Sequence, residues 1–355
     1  MTNKPNALSL LRSSIDRRSF LRYSAGATAA AMTGAITTAV AQAQDGLVAL
    51  VHTQAAGDAG PVDSMIAKLT QLAEEKGLQH RAIYAQDPAT YETIFRTLGD
   101  AGAAVVVSTF NEVAEPFKAV APDYPDTKWI QLFGDAFEPP IPNVVTVSYD
   151  YYLGCYLSGV FAGHLTKSGK VGFIGGISIP PLNADFNALK AGVLSVRPDA
   201  TVTAAFAGSF QDPAKGQEIA TQMYSDGIDY IQTDAAATDF GIIAAANEGE
   251  GRLVSTLDPA QFKLGPKSLI SIVGLDFGVS LYNETTRALG ADWNGGSHVN
   301  TGLGTGVIEF MLSPLFQEQG SPEVVAKSKE ALVAVEKVRA GILDGSVDVP
   351  FNTTL

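Results

Sequence analysis

The stretch from Lys170 to Asn247 constrains the fold more than any other part of the chain. It reads KVGFIGG, then a helical run that ends in LSVRPDA, then GSFQDPAKGQEIATQMYSDGIDYIQ. Apolar runs of strand length alternate here with segments of helical spacing and with glycine turns, an order that predicts two βα units of a parallel sheet. Neither unit carries an evident nucleophile, metal cluster or phosphate loop. Loops without reacting groups favour ligand binding over catalysis.

The same alternation fills the chain beyond residue 45, and it predicts an α/β class with two doubly wound parallel-sheet lobes and a ligand cleft between them. We expect the chain to cross between lobes after the strand 144–148 and to recross near Asp258. The predicted domains are a signal peptide over 1–43, a first lobe over 44–148 plus about 259–300, a second lobe over 149–258 plus about 301–320, and a C-terminal helix with a closing strand over 321–355.

The N-terminus matches a twin-arginine export signal. Arg17 and Arg18 lie in DRRSFLR, and a weakly apolar run follows, which ends in small-x-small cleavage sites within residues 39–43. Gly26, Gly34 and interspersed hydroxyl side chains argue against a transmembrane helix. Because no cysteine follows the run, we expect a mature periplasmic protein without a lipid anchor.

Charge and side-chain chemistry exclude several function classes. The formal net charge of −13 opposes binding to nucleic acid phosphates. The four histidines are scattered without metal-ligand spacing, and Cys155, the single cysteine, lies in a small-residue helix pattern. We therefore expect no metal, no cofactor and no catalytic residue.

Several motifs occur in a family-specific order. They are LGCYLSG at 153–159, KVGFIGG at 170–176, AGV at 191–193, RPD at 197–199, GSFQDPAKG at 208–216 and GSVDVP at 345–350. As an ordered set they resemble the basic membrane protein family of solute-binding proteins, the purine nucleoside receptors of ABC importers. The resemblance implies a type I periplasmic binding fold, hinge closure around a purine nucleoside or nucleobase, and an ABC permease as partner.

Aromatic residues follow three predicted strands. Phe110 follows the strand 103–108, Tyr149 ends the strand 144–148, and Phe210 follows the strand 202–206. Open α/β sheets bind ligands at the carboxyl ends of their strands, and a planar heterocycle needs flat apolar partners there. The resemblance adds that the ring of Phe210 packs on the purine.

Carboxylates at strand ends are the predicted hydrogen-bonding groups of the site. The resemblance implies that Asp135 bonds the base and that Asp258 takes ribose hydroxyls, and ionised carboxylates suit such donors because they only accept hydrogen bonds. In the first loop, Asp63 and Ser64 match the family pattern. Further candidates placed at the cleft by the βα topology are Asn187, Asp234 and Thr238.

Alternatives remain open at this point. The second aspartate of the family's ribose turn is Ala260 here, which leaves room for a bare nucleobase. A sugar or another small polar solute is the second ligand class. A twin-arginine-exported enzyme and a sensor that presents its bound lobes to a membrane partner are the rival functions, and the expected oligomeric state is a monomer.

Overall fold

The computed structural model describes residues 46–57 and 60–355, which form two six-stranded sheets with helices on both faces of each. The predicted signal peptide lies outside the described residues. The strands of the first sheet are β1 (Leu47–His52), β2 (Gln79–Tyr84), β3 (Val105–Thr109), β4 (Lys128–Leu132), β5 (Val144–Tyr149) and β11 (His298–Thr301). Their order is β11-β5-β4-β3-β1-β2, and every neighbouring pair is parallel.

The first lobe is this sheet together with the helices that cover it. They are α1 (Pro61–Lys76), α2 (Tyr91–Asp100), α3 (Ala114–Val120) and α8 (Phe277–Leu289). Helices α1 and α8 bury one face of the sheet, and α2 and α3 bury the other. The second face is packed with the rings of Phe95, Phe117 and Trp129, whose edge-to-face contacts have centroid distances of 4.7 to 6.0 Å.

The second lobe repeats the arrangement on the second sheet. Its strands are β6 (Lys170–Gly175), β7 (Thr201–Phe206), β8 (Tyr230–Asp234), β9 (Leu253–Thr256), β10 (Leu269–Leu275) and β12 (Ile308–Leu312). Their order is β12-β10-β9-β8-β6-β7, and β12 runs antiparallel to β10. Its helices are α4 (Tyr151–Leu165), α5 (Pro180–Val196), α6 (Pro213–Ser225), α7 (Asp239–Asn247), α9 (Pro314–Gln319) and α10 (Pro322–Leu343). Within the described chain no helix is both long and apolar enough to cross a bilayer.

Two glycines, Gly159 in α4 and Gly192 in α5, allow these helices to pack closely. A Cβ atom on Gly159 would lie 2.1 Å from the carbonyl oxygen of Leu189, and one on Gly192 would lie 2.2 Å from that of Tyr156. Helices α4 and α5 therefore touch backbone to backbone, which is possible only without these side chains. This contact fixes α5 on the second sheet, and α5 carries residues next to the site described below.

Three crossings connect the lobes: one at Asp150, one at Asp276 and one over residues 302–307. The Asp150 N–H donates to the Thr301 carbonyl (2.9 Å), and the Asp276 N–H donates to the Val307 carbonyl (2.8 Å). The first crossing lies where the sequence predicts it. The return lies at Asp276 and not near Asp258, because a 3₁₀ turn after β9 is long enough to join it to the neighbouring parallel strand β10.

The C-terminal helix begins where Ser321-Pro322 predicts it, but the predicted closing strand does not form. The structure describes every residue from 344 to 355, and none of them belongs to a strand. The tail is held instead by side chains of α5. Asn187 Nδ2 donates to the carbonyls of Asn352 (2.7 Å) and Thr354 (2.8 Å).

Candidate functional site

A cavity of about 380 Å³ lies between the lobes at the carboxyl edges of both sheets. Asp63 and Ser64 of α1 line it from the first lobe, Asp258 lines it from the second, and Asp276 lies at the crossing. The tertiary structure thus brings together three predicted site residues that are far apart in the chain. The volume falls within the range of small-molecule pockets. A second cavity of about 130 Å³, against β5 and β11, lies below that range.

Acidic groups dominate the lining of the 380 Å³ cavity. Asp63, Asp258, Asp276 and Glu309 face it together with Lys263. The Asp276 carboxylate accepts from the Ser64 hydroxyl (2.6 Å) and from the Val279 N–H (2.9 Å). Such a lining favours ligands rich in N–H and O–H donors and disfavours anions.

The carboxyl edge of the first sheet carries an aromatic cluster, which we define as Phe110, Phe133, Tyr149 and Phe277. Neighbouring ring centroids lie 5.1 to 6.0 Å apart. Two of its members, Phe110 and Tyr149, are predicted from sequence. Phe133 and Phe277 are not, although each follows an apolar strand just as Phe110 does.

Two residues of the aromatic cluster have an unusual backbone conformation. Phe110 has φ of 70° and Phe133 has φ of 53°, a region that L-residues seldom occupy outside turns. Neighbouring contacts hold this geometry, since Gln131 Nε2 donates to the Phe110 carbonyl (2.8 Å). Strained residues of this kind concentrate at ligand sites, where the surrounding structure over-determines them.

Asp135 is exposed after β4 and is paired with a residue that sequence reasoning misses. Asn111 Nδ2 donates to the Asp135 carboxylate (2.9 Å), and the Asp135 N–H donates to Asn111 Oδ1 (3.1 Å). The reciprocal bonds lock the loops after β3 and β4 together. The sequence feature that could have identified Asn111 as a site residue is its position directly after Phe110.

At the carboxyl edge of the second sheet, the structure brings Phe210, Asp234 and Thr238 together. The Gly176 N–H donates to the Asp234 carbonyl (2.9 Å), and a Cβ atom on Gly176 would lie 2.3 Å from the ring of Phe210. The ring therefore packs closely against a position that only glycine permits, and it stays partly exposed.

Thr238 serves the loop that carries Phe210. Its fully buried hydroxyl donates to the Ser209 carbonyl (3.0 Å) and accepts from the Asp212 N–H (2.9 Å), and its own N–H donates to the Phe210 carbonyl (3.2 Å). These bonds position the loop that carries Phe210.

Buried acids surround Asp234. Asp185 of α5 is 3% exposed, and Asp239 at the start of α7 is fully buried. Burial raises the pKa of Asp234 to about 6. Burial also raises the pKa of Asp185 and of Asp239 well above the ordinary value, and for Asp185 the neighbouring Asp234 charge adds to it. Nothing in the sequence around Asp185 indicates that this acid lies buried near the carboxyl edge of the second sheet.

Asn187 does not join the other predicted residues. Both of its amide bonds go to the C-terminal tail, and Asn183 one turn earlier donates to the Thr353 carbonyl (3.1 Å). Sequence reasoning places Asn187 at the cleft because it follows β6, yet it lies about two turns into α5. No group of three or more His, Cys, Asp or Glu side chains in residues 46–57 and 60–355 is arranged to hold a metal ion.

Comparison with known proteins points to one family. The family model described as "ABC transporter substrate-binding protein PnrA-like" matches residues 47–340, and a twin-arginine translocation signal matches residues 14–34. Basic membrane protein A2 of Borrelia garinii subsp. bavariensis is 33% identical over 266 residues, which span 74% of this chain and 76% of that protein.

Solved structures share the fold. The solute-binding protein of an ABC transporter system from Aeropyrum pernix K1 aligns with a TM-score of 0.73 at 21% identity, over 86% of this chain and 94% of that one. An ABC transporter periplasmic solute-binding protein from Actinobacillus succinogenes 130z, with bound D-allose, aligns with a TM-score of 0.58 at 16% identity, over 77% of this chain and 99% of that one. At these identities the likeness concerns the fold alone.

Proposed function

The chain belongs to the PnrA-like family of ABC transporter substrate-binding proteins, and we propose that its cleft holds a purine nucleoside or a purine base. Members of this family are solute-binding proteins that serve a permease and not enzymes. The twin-arginine signal directs the chain to the periplasm. The family and the location are findings, whereas the identity of the ligand, the residues that hold it and the monomeric state are proposals.

Aromatic side chains at the carboxyl edges of both sheets are the observation that supports the purine proposal. The aromatic cluster lies on the first lobe, and Phe210 lies partly exposed on the second. A planar ligand that lay between these rings would be stabilised by contact with both lobes. Tyr149 contributes its ring rather than its charge, because burial raises the pKa of its phenol, which donates to Ser280 Oγ (2.7 Å).

Carboxylates would supply the specific hydrogen bonds. We assign the base N–H groups to Asp135 and the ribose hydroxyls to Asp258, with Asp63 and Ser64 closing the cavity from α1. Asp258 already accepts from the Ala260 N–H (2.7 Å), which orients the carboxylate at the start of a 3₁₀ turn. The crossings at Asp150, Asp276 and 302–307 form the hinge about which the lobes would close.

A sugar or other small polar solute is the second candidate, because the acidic lining suits any ligand with many hydroxyl donors. Mass spectrometry of ligand released from the purified mature protein separates the two. A thermal-shift panel of purine bases, purine nucleosides, pyrimidines and pentoses checks the result, since a ligand at a hundredfold excess over its Kd adds about 2.7 kcal/mol to folding. If pentoses alone raise the midpoint, the purine proposal is rejected.

Asp258→Asn tests the ribose assignment. The amide keeps an oxygen for the turn but loses the charge, so we expect nucleoside affinity to fall by about 1.5 kcal/mol while free-base affinity stays unchanged. Asp126→Asn, in an exposed turn, is the matched control. Titration calorimetry with adenosine and adenine measures both, and equal losses for the two ligands would remove Asp258 from the ribose site.

A further inference from the structure

We propose that Gln131 is a positioning residue of the ligand site, whose buried amide holds the turns that carry Phe110 and Phe133. Gln131 does not need to touch the ligand, because it is fully buried and acts through these two residues. The proposal rests on the proposed function in one respect, namely that a ligand contacts the aromatic cluster at the carboxyl edge of the first sheet.

Gln131 is a polar residue inside an apolar strand. It lies in β4 between Ile130 and Leu132 and is fully buried. Its Nε2 donates to the Phe110 carbonyl (2.8 Å), whereas its Oε1 accepts no hydrogen bond from the described residues. A buried amide with an unused acceptor costs folding free energy, and an apolar side chain of the same length avoids that cost. The bond to Phe110 is therefore what the amide contributes at this position.

That bond reaches a residue with a strained backbone. Phe110 has φ of 70° and precedes the 3₁₀ turn Asn111–Val113. Its carbonyl also accepts from the Val113 N–H, but at the longer distance of 3.4 Å. The shorter bond from Gln131 thus fixes the peptide group after Phe110. Because the allowed side-chain rotamers depend on φ and ψ, the same bond restricts the direction of the Phe110 ring.

The amide of Gln131 also fills the space beneath the second turn. Gly134 follows Phe133, whose φ is 53°, and a Cβ atom on Gly134 would lie 2.5 Å from Gln131 Nε2. The Gly134 N–H donates to the Val147 carbonyl (2.9 Å), which closes the turn over the amide. One side chain therefore supports both strained residues: Phe110 through a hydrogen bond, and Phe133 through packing against its neighbour Gly134.

The two turns also carry the polar pair of the first lobe. Asn111 comes directly after Phe110, Asp135 comes directly after Gly134, and both are exposed. Their reciprocal hydrogen bonds, of 2.9 and 3.1 Å, join the turns on the solvent side. Gln131 holds the same turns from the buried side. Loss of its amide is therefore expected to loosen the rings together with the carboxylate that we assign to the base.

The first arm of the test needs no ligand. Gln131→Met keeps the length of the side chain and removes the donor. Native-state amide hydrogen exchange, measured by NMR relative to β1, should be about tenfold faster at two N–H groups. These are the Phe110 N–H, which donates to the Leu132 carbonyl (2.8 Å), and the Gly134 N–H. Unchanged exchange at both groups would overturn the proposal.

Asn143→Leu is the matched control. Asn143 is a buried amide in the same lobe, just before β5, and its Nδ2 donates to the carbonyls of Ala121, Tyr124 and Thr127 (2.8 to 3.1 Å). These bonds lie at the amino edge of the sheet, away from both turns. The control should lower the free energy of unfolding more than Gln131→Met does, because it frees three carbonyls, yet leave the relative exchange of both N–H groups unchanged.

The second arm measures adenosine affinity by calorimetry. Gln131→Met should bind about tenfold more weakly than the parent, and Asn143→Leu should bind like the parent. In a Phe110→Ala background, Gln131→Met should cause at most about a twofold further loss, because the amide acts mainly through that ring.

Equal losses from Gln131→Met in the parent and in the Phe110→Ala background would overturn the proposal, since they would show that Gln131 acts independently of the ring. Parent-like affinity of Gln131→Met would overturn it as well. Failure of the parent to bind adenosine counts against the purine ligand alone, because the first arm judges the role of Gln131 without a ligand.

Discussion

The two lobes share a strand order but present different chemistry to the cleft. Each sheet follows the same path and ends on a strand that is added after the chain has passed through the other lobe. That strand is parallel in the first lobe and antiparallel in the second. The first lobe shows four packed aromatic rings at its carboxyl edge. The second shows the partly exposed side chains of Phe210 and Asp234, with the buried acids Asp185 and Asp239 acting on Asp234.

This difference teaches that the repeated scaffold decides where a ligand can lie and that single residues decide what holds it. The aromatic cluster buries apolar area and stabilises its lobe. The buried acids do the opposite, because an ionised carboxylate with raised pKa costs folding free energy. The aromatic cluster is therefore expected to stabilise the first lobe, while the buried acids lower the stability of the second. Four substitutions test that contrast.

Phe277→Ala should have the largest effect, on stability. The ring is 3% exposed and contacts Phe110, Phe133 and Tyr149 at centroid distances of 5.1 to 6.0 Å. Truncation should cost roughly 3–5 kcal/mol in the free energy of unfolding, measured by urea melts. Phe351→Ala, whose ring is 62% exposed, is the control and should cost far less. A small loss for Phe277→Ala would mean that the first-lobe cluster is not a stabilising core.

Phe210→Ala should act mainly on affinity. Removing a stacking partner should cost on the order of 1–3 kcal/mol in binding, while stability changes less than in Phe277→Ala. Calorimetry with the identified ligand, run beside urea melts, separates the two quantities. Parent-like binding together with a stability loss of several kcal/mol would place Phe210 in the core and erase the contrast between the lobes.

Asp234→Asn should stabilise the protein at neutral pH. The folded-state pKa of Asp234 lies near 6, above the ordinary value of about 3.9, so its favourable contribution is complete only below pH 3.9 and is lost as pH rises through 6. Removing the charge should therefore raise the free energy of unfolding at pH 7.5 by about 1–2 kcal/mol. The gain should shrink toward pH 4.5 in urea melts. A gain that does not depend on pH would contradict the assigned titration.

Asn187→Ala should have the smallest effect. It removes two hydrogen bonds to the C-terminal tail, which should lower the free energy of unfolding by about 1 kcal/mol and leave ligand affinity unchanged. Thermal melts and calorimetry check the two parts. A tenfold loss of affinity without loss of stability would return Asn187 to the ligand site, where its position after β6 first suggested it.

Local patterns in the sequence predict most elements and the strand-end aromatics. The apolar run of β1 and the helical spacing of α1 appear with the predicted bounds, because period and length are local properties. The predicted return of the chain to the first lobe near Asp258 is wrong. The pair Asp258-Pro259 can begin a helical turn within a lobe as well as between lobes, so the local sequence does not distinguish the two. The bonds of Asn187 could not be predicted, because its partner is a tail 165 residues away.

The export signal, the α/β class, the family and the strand ends that carry Phe110, Tyr149 and Phe210 can be predicted from the sequence, since each depends on short-range order along the chain. The packing of distant segments could not be predicted: it brings Phe133 and Phe277 into the aromatic cluster and places Asp63 and Asp258 on one cavity. The reason is physical. Pairings between distant residues, and the burial that moves the pKa of an aspartate, depend on how the sheets and helices pack against one another.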